Sequence, residues 1–343
     1  MKTLIVHGDG KLEVREVERP RINSKQALVK MICCGICNGT DAKLIHRRFK
    51  GFGPDKYPLM LGHEGVGEVV EVGKDVKGFH IGDKVLLPFV DADKEQYGDL
   101  ESGWGAFSEY GVVNDLGAYG LAGAPECAYG QTKLPDGIDP VDACMIITLR
   151  EVLSSIKRFG IRENQSVAVF GCGPVGLTFI RFMSLLGVSP IIAFDIMPEK
   201  LDEAKKAGAD YTFDSREDAK EHVRSICPQG VDYMLDAVGI SDLINQGMEL
   251  IRDGGKLCCY GISPNLGMSL DWSKAPYNWQ LQFQQFPSKI EEGEATNQIL
   301  SWIRTGVIDL KDYISDYFRF EDVLEAFQKL DKRQIAKKGI VVF

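Results

Sequence analysis

A chain of 343 residues is longer than one ordinary hydrophobic core supports and suits two domains, one of them discontinuous. With 44% apolar and 26% charged residues, and no apolar run near the length a bilayer requires, it reads as globular and without a transmembrane segment. A formal net charge of −9 argues against non-specific binding to nucleic acid, which needs a basic face, and turns attention to small ligands.

The opening, MKTLIVHGDGKLEVREVERP, carries charges within its first apolar run and reads as a strand entering a fold rather than a signal peptide, so a cytoplasmic protein is expected. Short apolar runs then alternate with Gly, Pro and charged turns up to about residue 90: KLEVREVE, ALVKMICCG, EGVGEVVEVG and DKVLLPFV. That punctuation, with the alternation of EVVEV (Glu68 to Val72), predicts an all-β segment. Residues 91–133 are rich in Gly, Asp, Glu and Tyr with little periodicity, and are expected to form a functional or variable loop region. From about Cys144 strands alternate with helices: SVAVF, the helix LTFIRFMSLLG, the strand IIAFD, the helix PEKLDEAKKAGA, then the strands VDYMLDAVG and GGKLCCYG. Repeated βαβ units predict a doubly wound parallel sheet of α/β class. The tail from about Pro276 holds two amphipathic helices, TNQILSWIRTG and FEDVLEAFQKL, and a last strand, KKGIVVF. The predicted domains are residues 1–145, 146–280 and 281–343.

GCGPVG, comprising Gly171, Gly173, Pro174, Val175 and Gly176 with Cys172 between, lies after one predicted strand and before a helix. In that context G-x-G-x-x-G is a dinucleotide fingerprint, in which the glycines allow a tight turn and close approach of a pyrophosphate to the helix N-terminus. Asp195 ends the next strand about twenty residues on, where a carboxylate accepts hydrogen bonds from ribose hydroxyls and repels a 2′-phosphate; it favours NAD over NADP. A methyltransferase also uses a glycine-rich βα turn, but Asp195 at this distance disfavours it.

GHEGVG (Gly62 to Gly67) sets an imidazole beside a carboxylate among three glycines, two dozen residues after CCGICNGTD (Cys33 to Asp41). Cys37, His63 and Glu64 offer thiolate, imidazole and carboxylate, a donor mixture zinc accepts in open catalytic sites; spacing alone leaves open that the three are unrelated. Cys34 and Cys37 form C-x-x-C, but in a β segment rather than the βαβ setting of a thioredoxin-type motif. Nine cysteines, an odd count without a secretion signal, fit reduced thiols; Cys127, Cys144, Cys172, Cys227, Cys258 and Cys259 read most simply as small buried residues.

CGICNGTD, GHEGVGEVVEVGKDVKGFHIGDKV, GAFSEY, GCGPVG and the tail FEDVLEAFQKLDKRQIAKKGIVVF, in this order, resemble the zinc-dependent medium-chain dehydrogenase/reductase family along nearly the whole chain, closest to its sorbitol, threonine and sugar dehydrogenases. The resemblance implies a GroES-like β-rich catalytic domain, a Rossmann domain and a C-terminal return to the first. It matches Cys37 and His63 to the first two zinc ligands, and Glu64 to a carboxylate that binds zinc directly in some members and stands behind it in others. Thr40 matches the hydroxyl that hands the substrate proton towards solvent. CNGTD is one residue longer than the family's CGTD or CGSD. Ile147 falls where sorbitol-type members place a ligating glutamate; Glu151, one helical turn on, is the candidate replacement. Where many members of the family carry four closely spaced cysteines that hold a structural zinc, this chain has the cysteine-free stretch VDADKEQYGDLESGWGAFSEY, so the resemblance implies no structural zinc and at most one zinc per subunit.

The resulting expectation is NAD-linked oxidation of a secondary alcohol to a ketone, with zinc and NAD as cofactors. Trp104 and Glu109 are candidates for binding a polyol, sugar or cyclitol; the basic run His46, Arg47 and Arg48 would suit an anionic substrate or be a solvated turn. The alternatives are a zinc-free enone or quinone reductase and a non-catalytic NAD-binding regulator. The resemblance further implies a dimer or tetramer assembled near GGKLCCYGIS.

Overall fold

The computed structural model describes residues 1–120, 123–263 and 267–343, which form two compact units, Met1–Arg150 with Ser288–Phe343, and Glu151–Pro287. Among the described residues no helix is long and apolar enough to cross a membrane.

The first unit begins with eight strands: β1 (Lys2–Val6), β2 (Leu12–Glu16), β3 (Gln26–Gly35), β4 (Leu59–Met60), β5 (Glu64–Val72), β6 (Lys84–Leu86), β7 (Glu101–Ser102) and β8 (Tyr110–Asn114). β3 is its central strand. One edge pairs antiparallel with β5, and the N-terminal half of the other edge pairs with β8, Gln26 opposite Asn114. β2, β1, β4 and β7 form a smaller sheet in that order. Leu4, Val6, Met31, Leu44, Leu61, Phe107, Phe327 and Val341 are all nearly fully buried in one core cluster. The stretch 91–133, expected as loop, contains β7, β8 and short helices at Lys94–Tyr97, Leu116–Tyr119 and Cys127–Gly130. Asp93 caps the first of these, and buried Tyr97 anchors it against Ile5, Met60, Val90 and Leu100. These elements are too short to establish a period. Leu121 and Ala122, in the same stretch, lie outside the described residues.

The second unit carries β9 (Val167–Phe170), β10 (Ile191–Asp195), β11 (Tyr211–Asp214), β12 (Val231–Asp236), β13 (Ile251–Cys259) and β14 (Trp279–Phe283). All pairings are parallel, in the order β11-β10-β9-β12-β13-β14. The order reverses at β9, beside the glycine-rich turn, where open α/β sheets bind ligands. β9 is a continuous apolar run, and so is β10 up to its terminal Asp195, as strands covered on both faces require: Val167, Ala168, Val169, Ile191, Ile192, Ala193 and Phe194 have no exposed surface.

After the helix Lys289–Arg304, which opens on a Ser288/Glu291 capping box, the chain returns to the first unit as β15 (Ile314–Arg319) and β16 (Lys338–Val342). β16 pairs antiparallel with the C-terminal half of β3, Ile340 opposite Gly35, on the edge that β8 shares further back. Gly35 is also opposite Glu64 across β3 and β5. Three strands therefore meet at the end of β3, and the candidate site lies there.

Candidate metal centre and dinucleotide turn

Gly62 has φ +102, and a Cβ on it would sit 2.5 Å from the backbone nitrogen of Phe107, so the turn into β5 is open only to glycine. That turn delivers His63 and Glu64 in succession to the same place. Cys37 arrives from the other side, just beyond β3. The extra residue in CNGTD is absorbed in a tight loop: the Asp41 amide donates to the Cys37 carbonyl at 2.8 Å, and the Cys37 amide donates to Asp41 Oδ2 at 2.8 Å. Ligand atoms of Cys37, His63 and Glu64 all lie within 4.8 Å of one another, the one such Cys/His/Asp/Glu group among the described residues.

Asp41 braces both residues. It is fully buried, and its Oδ1 faces His63 Nδ1 at 3.5 Å, neither atom having a closer hydrogen-bond partner among the described residues. With Nδ1 turned to the carboxylate, Nε2 points into the group, 4.0 Å from Glu64 Oε1. A carboxylate behind a histidine in this way fixes its tautomer for metal ligation. Burial alone would push the His63 pKa down, but Asp41 and Cys37 outweigh it and raise it well above the usual imidazole value. An anionic surrounding that holds a proton on His63 is one a divalent cation can occupy instead. The donor set of thiolate, imidazole and carboxylate, closed on one side by this brace, fits zinc.

Glu64 is more heavily engaged than its sequence position suggests. Lys338 Nζ, from β16, donates to its Oε1 at 2.8 Å and Oε2 at 2.7 Å, and Thr148 Oγ1 donates to Oε1 at 2.9 Å. Burial would raise the Glu64 pKa, yet Lys338 and His63 together hold it below the ordinary carboxylate value. The Lys338 ammonium, desolvated yet set against Glu64, is correspondingly raised.

Thr40 is buried, 4% exposed, and its hydroxyl makes no capping bond to the helix Asp41–Ile45 that it precedes. Trp104 has φ +69, costly for a bulky residue, and its ring lies 5.4 Å from His63, 6.2 Å from Phe49 and 5.8 Å from Phe52 between centroids. An aromatic wall thus stands against the histidine. Ile147 is fully buried beside Leu87, Phe89 and Trp104 and offers no ligand. Glu151 is not in the convergent group of Cys37, His63 and Glu64; it is Thr148, three residues before it, that reaches Glu64. Glu109 accepts the Lys2 amide at 2.8 Å; His46, Arg47 and Arg48 are exposed, with His46 3.3 Å from Asp331. Sequence reasoning missed Lys338, Thr148, Phe49 and Phe52. None sits in a motif with the candidate ligands.

In the second unit Gly171 follows β9, and Gly173 precedes the helix Pro174–Leu185, with Pro174 at its first position and no side-chain cap. A Cβ on Gly176 would fall 1.9 Å from the Gly171 carbonyl oxygen, so helix and turn touch at that point. The uncapped first-turn amides, Val175 and Gly176 among them, are free to meet a phosphate. Asp195 leans over the turn: Oδ2 accepts the Cys172 amide at 2.6 Å and Oδ1 the Met197 amide at 3.0 Å. Ile196, Met197, Val238 and Ile240, which follow β10 and β12, are exposed apolar side chains at the same strand ends.

Residues 23–121 match the alcohol dehydrogenase GroES-like domain family, and residues 174–284 match the zinc-binding dehydrogenase family. The chain is 31% identical over 282 residues to an alcohol dehydrogenase of Geobacillus stearothermophilus, spanning 79% of each chain. It is 25% identical over 352 residues to sorbitol dehydrogenase of Bacillus subtilis (strain 168), covering 96% of this chain and 93% of the other. Among solved structures, 2R,3R-butanediol dehydrogenase from Bacillus subtilis superposes with a TM-score of 0.80 at 22% identity, over 100% of this chain and 99% of that one. Galactitol-1-phosphate dehydrogenase from Escherichia coli gives 0.80 at 22%, over 100% of both.

Proposed function

This chain belongs to the zinc-dependent medium-chain dehydrogenase/reductase family, as a zinc-type alcohol dehydrogenase using a nicotinamide cofactor, and from that premise we propose that it oxidises a secondary alcohol of the polyol, sugar or cyclitol class with NAD. The observation that carries the reading is the convergence of Cys37, His63 and Glu64 with Asp41 buried behind them. Cys37 and His63 would hold one zinc, with Glu64 within reach. When bound, zinc supplies Lewis-acid polarisation of the substrate hydroxyl and the nicotinamide accepts the hydride.

The chain's own residues do the rest. Asp41 keeps His63 in one tautomer and orientation, so that its Nε2 is not free to rotate away. Thr40 Oγ1, not used in capping, takes the hydroxyl proton and passes it towards solvent. Trp104, Phe49 and Phe52 exclude water from one side of the site and offer a flat face to the carbon skeleton of the substrate. Asp195 supports NAD over NADP, since a carboxylate already fixed over the glycine turn would repel a 2′-phosphate. The names of the relatives, sorbitol dehydrogenase and (R,R)-butanediol dehydrogenase, support an alcohol with a neighbouring hydroxyl.

The test is zinc per subunit in the wild type and Cys37→Ala, with absorbance at the reduced-nicotinamide band during incubation with polyols, sugars and cyclitols and either NAD or NADP. About one zinc, lost in the variant, together with NAD-dependent turnover, is the expected result. A wild type that takes up no zinc even after resupply refutes it.

A further inference from the structure

The proposed metal site has two uncontested protein donors, Cys37 and His63, and one contested one. Both oxygens of Glu64 accept from Lys338, and Oε1 also accepts from Thr148, so most of the carboxylate's acceptor capacity is taken. Lys338 is engaged as fully as Glu64. Its side chain is only 11% exposed, and among the described residues its ammonium donates to no other group. If Glu64 turned to a metal, it would leave a buried ammonium without a partner, which is strongly unfavourable. Lys338 therefore opposes ligation by Glu64, and its own positive charge opposes a dication nearby.

The backbone makes this arrangement a built one. Ile36 donates its amide to the Gly339 carbonyl at 2.9 Å, which sets Lys338 level with the chain entering Cys37. Gly35 lies so close beneath the carboxylate that a Cβ there would be 2.4 Å from Glu64 Oε2. Ile147, next to Thr148, contributes no ligand that could compensate. We propose that Lys338 is a positioning residue that holds Glu64 in reserve behind the metal, leaving the ion to Cys37, His63 and exchangeable oxygens, and that Glu64 becomes a ligand when Lys338 is removed. The proposal rests on the metal reading above.

The experiment measures zinc affinity by chelator competition and the visible d–d spectrum of the cobalt-substituted protein, neither of which depends on turnover. Lys338→Met keeps the stem and removes the charge; it is expected to tighten zinc at least tenfold, about 1.4 kcal/mol, and to shift the cobalt bands. Adding Glu64→Gln should abolish the gain, and Lys338→Arg should retain wild-type affinity and spectrum. If circular dichroism shows that Lys338→Met does not fold, Thr148→Val, which removes one bond from Oε1, must move affinity and spectrum the same way by a smaller amount. Unchanged or weaker zinc binding with a wild-type cobalt spectrum overturns the proposal. A wild type that binds neither zinc nor cobalt overturns the metal reading and the proposal together, whereas metal binding unaffected by Lys338 overturns the proposal alone.

Discussion

Gly176→Ala is the sharpest single test of the dinucleotide turn. The added methyl would stand 1.9 Å from the Gly171 carbonyl oxygen and 2.9 Å from its carbon, both backbone atoms that cannot rotate aside. The helix Pro174–Leu185 must retreat from the turn by roughly an ångström before the contact is tolerable. Overpacking of this kind costs about 1–3 kcal/mol of stability. The larger consequence is functional, because the displaced first-turn amides are those available to phosphate. A hydrogen bond from such an amide to a charged group is worth about 1.5–3 kcal/mol, so losing one weakens cofactor binding roughly 10- to 150-fold. NADH fluorescence titration reads this directly. Zinc content serves as the control, since Cys37, His63 and Glu64 belong to the other compact unit. A variant that binds NADH within twofold of wild type, with an unchanged melting temperature, would refute the placement of the phosphate at this turn.

Two further outcomes follow from the same structure. Trp104 combines a left-handed backbone with an aromatic contact to His63, and the two separate by substitution: Trp104→Ala and Trp104→Gly should each lower kcat/KM about tenfold or more, while the glycine variant is more stable than the alanine variant by about 1 kcal/mol in urea denaturation. Equal stability of the pair would argue that the backbone strain is relieved elsewhere. Asp115 reports on acid stability. Burial would raise its pKa, but the amides of Lys77, Gly78, Gly117 and Ala118 outweigh it and lower it from 3.8. A depressed folded-state pKa contributes stability fully above the unfolded value, and that contribution is lost as pH falls from about 3.8 through the lower folded value. Asp115→Asn should therefore be destabilised at pH 7 and converge towards wild type in strong acid; parallel pH–stability curves would contradict the assignment.

The parts of the fold that can be read from sequence are those with a period or a local signature. SVAVF and IIAFD are short runs, apolar but for Ser166 and Asp195 at their ends and bounded by turns, as β9 and β10 require, and Gly208 closes the helix Pro198–Ala207 in a left-handed conformation, φ +115. β8 is hidden because YGVVN is brief and follows a polar, glycine-rich stretch; its partner, the first half of β3, lies some eighty residues back. WQLQF shows clear alternation yet falls within the predicted C-terminal tail, although β14 pairs parallel with β13 and completes the second unit's sheet across the expected boundary at residue 280. Periodicity identifies a strand without naming its sheet.

At the candidate metal centre the division is sharper. Cys37, Asp41, His63 and Glu64 stand in two short motifs whose glycines and spacing carry chemical meaning. Lys338 is 274 residues from Glu64, in a run, KKGIVVF, with nothing to distinguish one lysine from its neighbour. Register decides which of them matters. Ile340 is opposite Gly35, and Gly35 is opposite Glu64, so the residue two before Ile340 is carried past the end of β3 to the carboxylate. Lys337, one place earlier, points the other way: its ammonium donates to the Asp312 carbonyl at 2.6 Å and is exposed. A shift of one residue in the pairing of β16 that set Gly339 in the place of Lys338 would leave Glu64 buried without its counter-charge. The burial of Glu64 thus ties the chemistry of the GHEGVG motif to the pairing of the chain's last strand, and a change in either should be felt at the candidate metal site.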